Sequence, residues 1–101
     1  VYASTSEEYG TETLYVQGWS VSTARTISFQ YNIDGGSWIS LPGHYRNDVA
    51  AATPGYYADI NAFDANINIS ALSKGTHKML IRAHTSTGIY YQVAQITINI
   101  Q

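Results

Sequence analysis

Five stretches of this chain, at residues 14–21, 27–33, 63–69, 77–83 and 89–100, alternate apolar and polar residues with a period of two. That period sends successive side chains to opposite faces of an extended backbone, so each stretch is expected to be a half-buried strand. In the second, Ile27, Phe29, Tyr31 and Ile33 share one face while Ser28, Gln30 and Asn32 share the other. Leu14, Val16 and Gly18 alternate in the same way with Tyr15, Gln17 and Trp19. Turn signals separate the blocks. Asp34-Gly35-Gly36 is a hairpin turn, Ser37 to Leu41 the returning strand, and Pro42-Gly43 its end. Ser70 to Gly75 is expected to form a single helical turn, capped by Ser70 and closed by Gly75. Strands this short, with no long amphipathic helix, predict an all-β fold: an antiparallel β-sandwich of about seven strands. The boundaries are 1–10 for a linker or loose edge strand and 11–101 for the domain. Its expected core includes Trp19, Phe29, Tyr31, Phe63, Ile67, Met79, Ile81, Ile96 and Ile98.

A chain of 101 residues carries one core and leaves no room for a deep cleft between domains. The net charge of -2 and five basic residues argue against nucleic acid or an anionic membrane surface as partner, since both require a basic face. No apolar run reaches the length of a membrane-spanning helix. Without cysteine there is no disulfide, thiolate nucleophile or Cys-based metal site, a composition that suits an extracellular domain.

Residues 44–56 follow neither the strand period nor a tight turn, and an excursion of this length carries function or packs on itself. Arg46 and Asp48 lie within it. They are expected to be structural, with Asp48 capping a short helical turn over 49–52 and Arg46 binding loop carbonyls or a carboxylate; recognition of a charged group is the alternative. Catalysis finds no support. There is no Gly-x-Ser-x-Gly elbow and no His-Glu-x-x-His pair, and Glu7, Glu8 and Glu12 cluster near the start of the chain. His77 and His84 are an odd number of residues apart, which puts them on opposite strand faces, so no shared metal is expected. His77 shares the parity of Met79 and Ile81 and is expected at the edge of the core. Asp59, Asn61, Asp64 and Asn66 supply oxygens without the spacing of a known calcium loop, so a solvated face is preferred there to calcium. No cofactor is expected. Asn68-Ile69-Ser70 matches an N-glycosylation acceptor.

Aromatic side chains are the best candidates for ligand contact. Trp38, Tyr45, Tyr56, Tyr57 and Tyr90 lie in or beside loops, where flat rings stack on the apolar face of a sugar. The alternative is that these rings cover the sandwich and leave their polar ends wet.

The ordered series Gly18-Trp19, Tyr31-Asn32-Ile33-Asp34-Gly35, Tyr45-Arg46-Asn47-Asp48-Val49, Pro54-Gly55-Tyr56, Ala62-Phe63 and Ile69 to His77 resembles a bacterial immunoglobulin-like domain over residues 12–100. Asn47 departs from that pattern, which usually has proline there. The resemblance implies an immunoglobulin-like sandwich with Trp19 in the core and no catalytic residues. It further implies a secreted or surface-attached protein in which such a domain is a non-catalytic accessory module. The module would space or anchor neighbouring domains of the same chain and contact cell-surface polymers. Two alternatives follow: a carbohydrate-binding module that carries an attached glycoside hydrolase to a cell-surface or plant glycan, and a protein-binding adhesin.

Overall fold

The computed structural model describes residues 2–10, 12–57 and 60–101. Eight strands run through them: β1 (Tyr2–Tyr9), β2 (Thr13–Val21), β3 (Thr26–Ile33), β4 (Ile39–Leu41), β5 (Gly43–His44), β6 (Ala62–Asn68), β7 (Gly75–Thr85) and β8 (Tyr90–Ile100). One helix, α1 (Asn47–Ala52), lies between β5 and β6 and is far too short to cross a membrane. The strands form two antiparallel sheets of four, in the orders β1-β2-β6-β5 and β4-β3-β7-β8. Within the segment expected as a linker or loose edge strand, residues 2–9 pair with β2, from Tyr2 opposite Val21 to Tyr9 opposite Leu14.

The core lies between the sheets. Leu14, Val16, Phe63 and Ile67 of the first sheet pack with Phe29, Met79, Ile81, Ala83, Ile96 and Ile98 of the second, and the Phe29 and Phe63 rings meet at 4.9 Å. Tyr31 is partly buried against this cluster. Two expectations need correction. Trp19 does not join the core: Leu14, Val16 and Ser20 point inward, and strand alternation turns Trp19 to the outer face, where it is half-buried. Ile27 also faces out, because the pairing of β3 with β7 shifts between Thr26 and Ser28. That irregularity buries Thr26 instead, since one extra residue inverts the parity of everything on its far side.

The turns follow local chemistry. Asp34 (φ 55°) and Gly35 (φ 74°) both adopt positive φ, as a two-residue hairpin turn of the primed kind needs. Residues 70–74 form a turn rather than the expected helical one. The Asn68 carboxamide oxygen accepts the Ser70 N–H at 2.9 Å and its hydroxyl at 2.7 Å, which replaces the backbone pattern a helix would need. Pro42 does more than end a strand. Leu41 is the last residue paired with β3, and Gly43 is the first paired with β6, so the chain changes sheets across a single residue.

The first strand starts beside Val21 and runs toward the opposite end, where the Tyr9 hydroxyl accepts the Asn99 N–H near the finish of β8. The chain therefore enters at one end of a body 43 Å long and leaves at the other.

The sheet change requires close approach at Gly43. A methyl group there would sit 2.7 Å from Ile60 Cγ2 and 3.2 Å from Phe29 Cδ2. Gly43→Ala is expected to destabilise the domain by about 1–3 kcal/mol, the usual cost of overpacking. Chemical denaturation measures this directly, and an unchanged midpoint would contradict the packing account.

Candidate functional site

The long excursion is held by one buried amide. Asn61 is fully enclosed, and its side chain pairs with the backbone of Arg46 on both sides: Arg46 N donates to Oδ1 at 2.6 Å, and Nδ2 donates to Arg46 O at 3.0 Å. Its own backbone N–H reaches His44 O at 3.2 Å, and its carbonyl accepts Ser20 N at 3.1 Å. Every polar group of the residue thus has a partner, as burial demands. Arg46 is the residue capping α1, but its side chain makes no capping bond to the helix backbone. Its guanidinium turns back to Asp48 in a two-pronged pair, Nε to Oδ1 at 3.2 Å and the terminal nitrogen to Oδ2 at 2.7 Å. Asp48 sits in the first turn rather than at the cap position expected for it. The pair holds Asp48 below and Arg46 above its ordinary pKa, chiefly through these hydrogen bonds. The Asp48 side chain is well exposed and that of Arg46 is partly so.

Beside this loop the outer face of the first sheet carries a groove. A hollow of about 540 Å³ is bordered by Ser6 of β1, Gln17 and Trp19 of β2, His44 of β5, Asp64 of β6 and Arg46 of the loop. A second hollow of about 350 Å³ shares Trp19 and Arg46 and continues along Asp48, Val49, Ala52 and Thr53 of the α1 segment. The polar groups of the larger hollow are lightly engaged. His44 Nδ1 and an Asp64 oxygen stand 4.0 Å apart, and Gln17 accepts only a 3.5 Å contact from Tyr15.

The five expected contact rings do not share a surface. Tyr90 opens β8 of the second sheet and Trp38 immediately precedes its β4, whereas Tyr45 follows β5 of the first. Tyr45 reaches Asn47 at 3.4 Å. The Tyr56 N–H turns back to Thr53 O, and Tyr57 bridges Ser22 with its ring 5.8 Å from the Arg25 guanidinium. Trp38 and Tyr90 do come together, but around Arg82. Its guanidinium carbon lies 3.8 Å from the Trp38 ring and 3.9 Å from the Tyr90 ring, and Nε donates to Gln30 Oε1 at 2.8 Å. His84 stacks on Tyr90 at 4.4 Å, continuing a four-layer pile across the outer face. Of the suggested calcium set, Asp59 lies outside the described residues, Asn61 is committed to Arg46, and Asp64 borders the groove. Among the described residues no three His, Asp or Glu side chains gather as a metal site would require.

His77 makes the most specific ionic contact. Nδ1 meets Asp34 Oδ2 at 2.5 Å and Nε2 meets the Ser73 carbonyl at 2.8 Å. A carboxylate and a carbonyl both accept, so this pair of contacts favours the imidazolium form, in which both ring nitrogens donate. Asp34 Oδ1 also accepts the Lys78 N–H at 2.9 Å. The His77 pKa is accordingly raised by Asp34 first and Ser73 second, and that of Asp34 is lowered by His77 first and Lys78 second.

No family model, curated protein or solved structure matches the chain. Geometry alone therefore carries the assignment: an all-β, sandwich-like body with one face sealed by stacked side chains and the other face grooved.

Asn61→Ala is expected to cost about 2–4 kcal/mol in a urea melt, because it orphans two buried backbone groups. Arg46→Ala and Asp48→Ala should each stay within about 1 kcal/mol of the parent, since their pair is exposed. Equal losses for all three would show that the loop is held by the ion pair instead. The His77 contact predicts a pH window. A raised His pKa adds stability that is complete below 6.5 and is lost as pH rises through the folded value. A lowered Asp pKa adds stability that is present above 3.8 and is lost as pH falls through the folded value. Melting temperature should therefore be highest between those limits and decline above pH 6.5, and His77→Gln should flatten the decline.

Proposed function

We propose that this chain is an immunoglobulin-like, non-catalytic accessory module of a secreted or surface-attached bacterial protein, and that its task is to hold neighbouring domains apart. Lettered in chain order as A, B, C, C′, D, E, F and G, the strands form sheets A-B-E-D and C′-C-F-G, an order that supports the immunoglobulin-like class. The observation that carries the spacing role is the entry and exit of the chain at opposite ends of a 43 Å body. Such a module adds its full length to a string of domains. The shifted titrations support a structural use of charge, because each lies in a local pair, Arg46 with Asp48 and His77 with Asp34. The net charge of -2 argues against nucleic acid as a partner.

Carbohydrate binding is the second reading, and the grooved face favours it. Trp38 and Tyr90 do not support it, because Arg82 already occupies the space between them. An adhesin pairing through β8 has less support: the register of that strand shifts opposite Ile81 and Arg82, and Tyr9 bonds to Thr97 and Asn99.

Small-angle scattering on two copies joined end to end tests the spacing role. The expected maximum dimension is about twice the 43 Å of one domain. A particle folded back to near the length of a single copy would refute it.

A further inference from the structure

We infer that the groove beside Trp19 is a binding site for a neutral sugar chain bearing acetamido groups. Sugar rings present a C–H face and a hydroxyl edge, and the groove offers a counterpart to each. The half-buried indole of Trp19 is the flat apolar element. Gln17, His44 and Asp64 stand around it with hydrogen-bonding capacity that the fold leaves lightly used. Charge selects against acidic ligands. The cation of Arg46 is matched by Asp48 through two hydrogen bonds, which leaves Asp64 to give the groove a negative character. Uronates and phosphorylated polymers are repelled there, while a neutral chain pays no such penalty. The smaller hollow decides the substituent. It adjoins the first across Trp19 and Arg46, and its far wall is the apolar surface of Val49 and Ala52 with Thr53. A sugar with hydroxyls alone has nothing apolar to lay on that wall, whereas the methyl of an acetamido group adds apolar contact there.

This site lies on the face opposite the Arg82 pile and does not depend on the spacing role, which the scattering experiment tests separately. Calorimetry on the 101-residue chain with tri-N-acetylchitotriose, cellotriose and trigalacturonate tests it. The acetylated trimer is expected to bind, and the other two to bind about tenfold more weakly or not at all. Trp19→Ala should lose about tenfold in affinity, while Trp38→Ala, on the other sheet, should leave it unchanged. If Trp19→Ala does not fold, the pair Gln17→Ala and Asp64→Ala, both at exposed positions, takes its place with the same expected loss. In a Trp38→Phe background, the single remaining indole should change its emission when the acetylated trimer is added. No binding of the acetylated trimer at millimolar concentration overturns the site. Equal binding of cellotriose overturns the acetamido assignment, and full affinity in the groove variants overturns its location.

Discussion

The carboxamide of Asn61 is the interaction on which the rest of this arrangement depends. A chain that leaves one sheet at Pro42, lays a short helix outside the other and then returns must satisfy the backbone of the departing segment. Asn61 does so in a buried position by presenting an acceptor to Arg46 N and a donor to Arg46 O, as a neighbouring strand would. Neither aspartate nor leucine can offer that combination. Through its own backbone the same residue ties β5 to the start of β6 and reaches Ser20 at the end of β2. The position of α1, the burial of Val49 and the second wall of the groove all follow from this tether.

The two sheets finish their outer faces in different ways. On the second, Arg82 is fixed by Gln30 and enclosed between Trp38 and Tyr90, with His84 beyond. Long side chains lie flat there and spend their polarizable surface on one another. On the first, the outward residues of β2 and β6 have no such cover beyond the reach of the α1 segment, so relief remains. The same strand alternation thus yields a sealed face and a receptive one. What separates them is where the long cation goes: Arg82 lies across the aromatics, whereas Arg46 beside Trp19 turns to Asp48.

Much of this fold was legible in the residues, because period-two alternation is enforced wherever one face is buried. Phe29, Phe63, Ile67, Met79, Ile81, Ile96 and Ile98 lie in the core for that reason. Trp19 is instructive in the opposite sense. Its parity is opposite to that of Leu14 and Val16 and turns it outward, so the expectation that placed it in the core set the size of an indole above the strand period. Ile27 was not recoverable, since a shift of one register position leaves no mark in composition. The strand switch at Pro42 reads as an ending until the partner of Gly43 is known. The site was less legible than the fold. Proximity to loops selected Trp38, Tyr45, Tyr56, Tyr57 and Tyr90, but their partners come from distant strands, and Arg82 in particular lies 44 residues beyond Trp38 in the sequence. Asn61 looked like one polar residue among several in an oxygen-rich segment. Nothing short of the folded geometry distinguishes a tether from a solvated amide.

The placement of the two tryptophans has a practical consequence. They occupy the outer faces of different sheets, and neither is part of the apolar interior. The Trp38 indole lies under a guanidinium, whereas that of Trp19 borders an open hollow. Tryptophan emission from this molecule is therefore a sum of two signals with different electrostatic surroundings. Each indole reports on its own side of the body, and neither reports directly on the packing between the sheets.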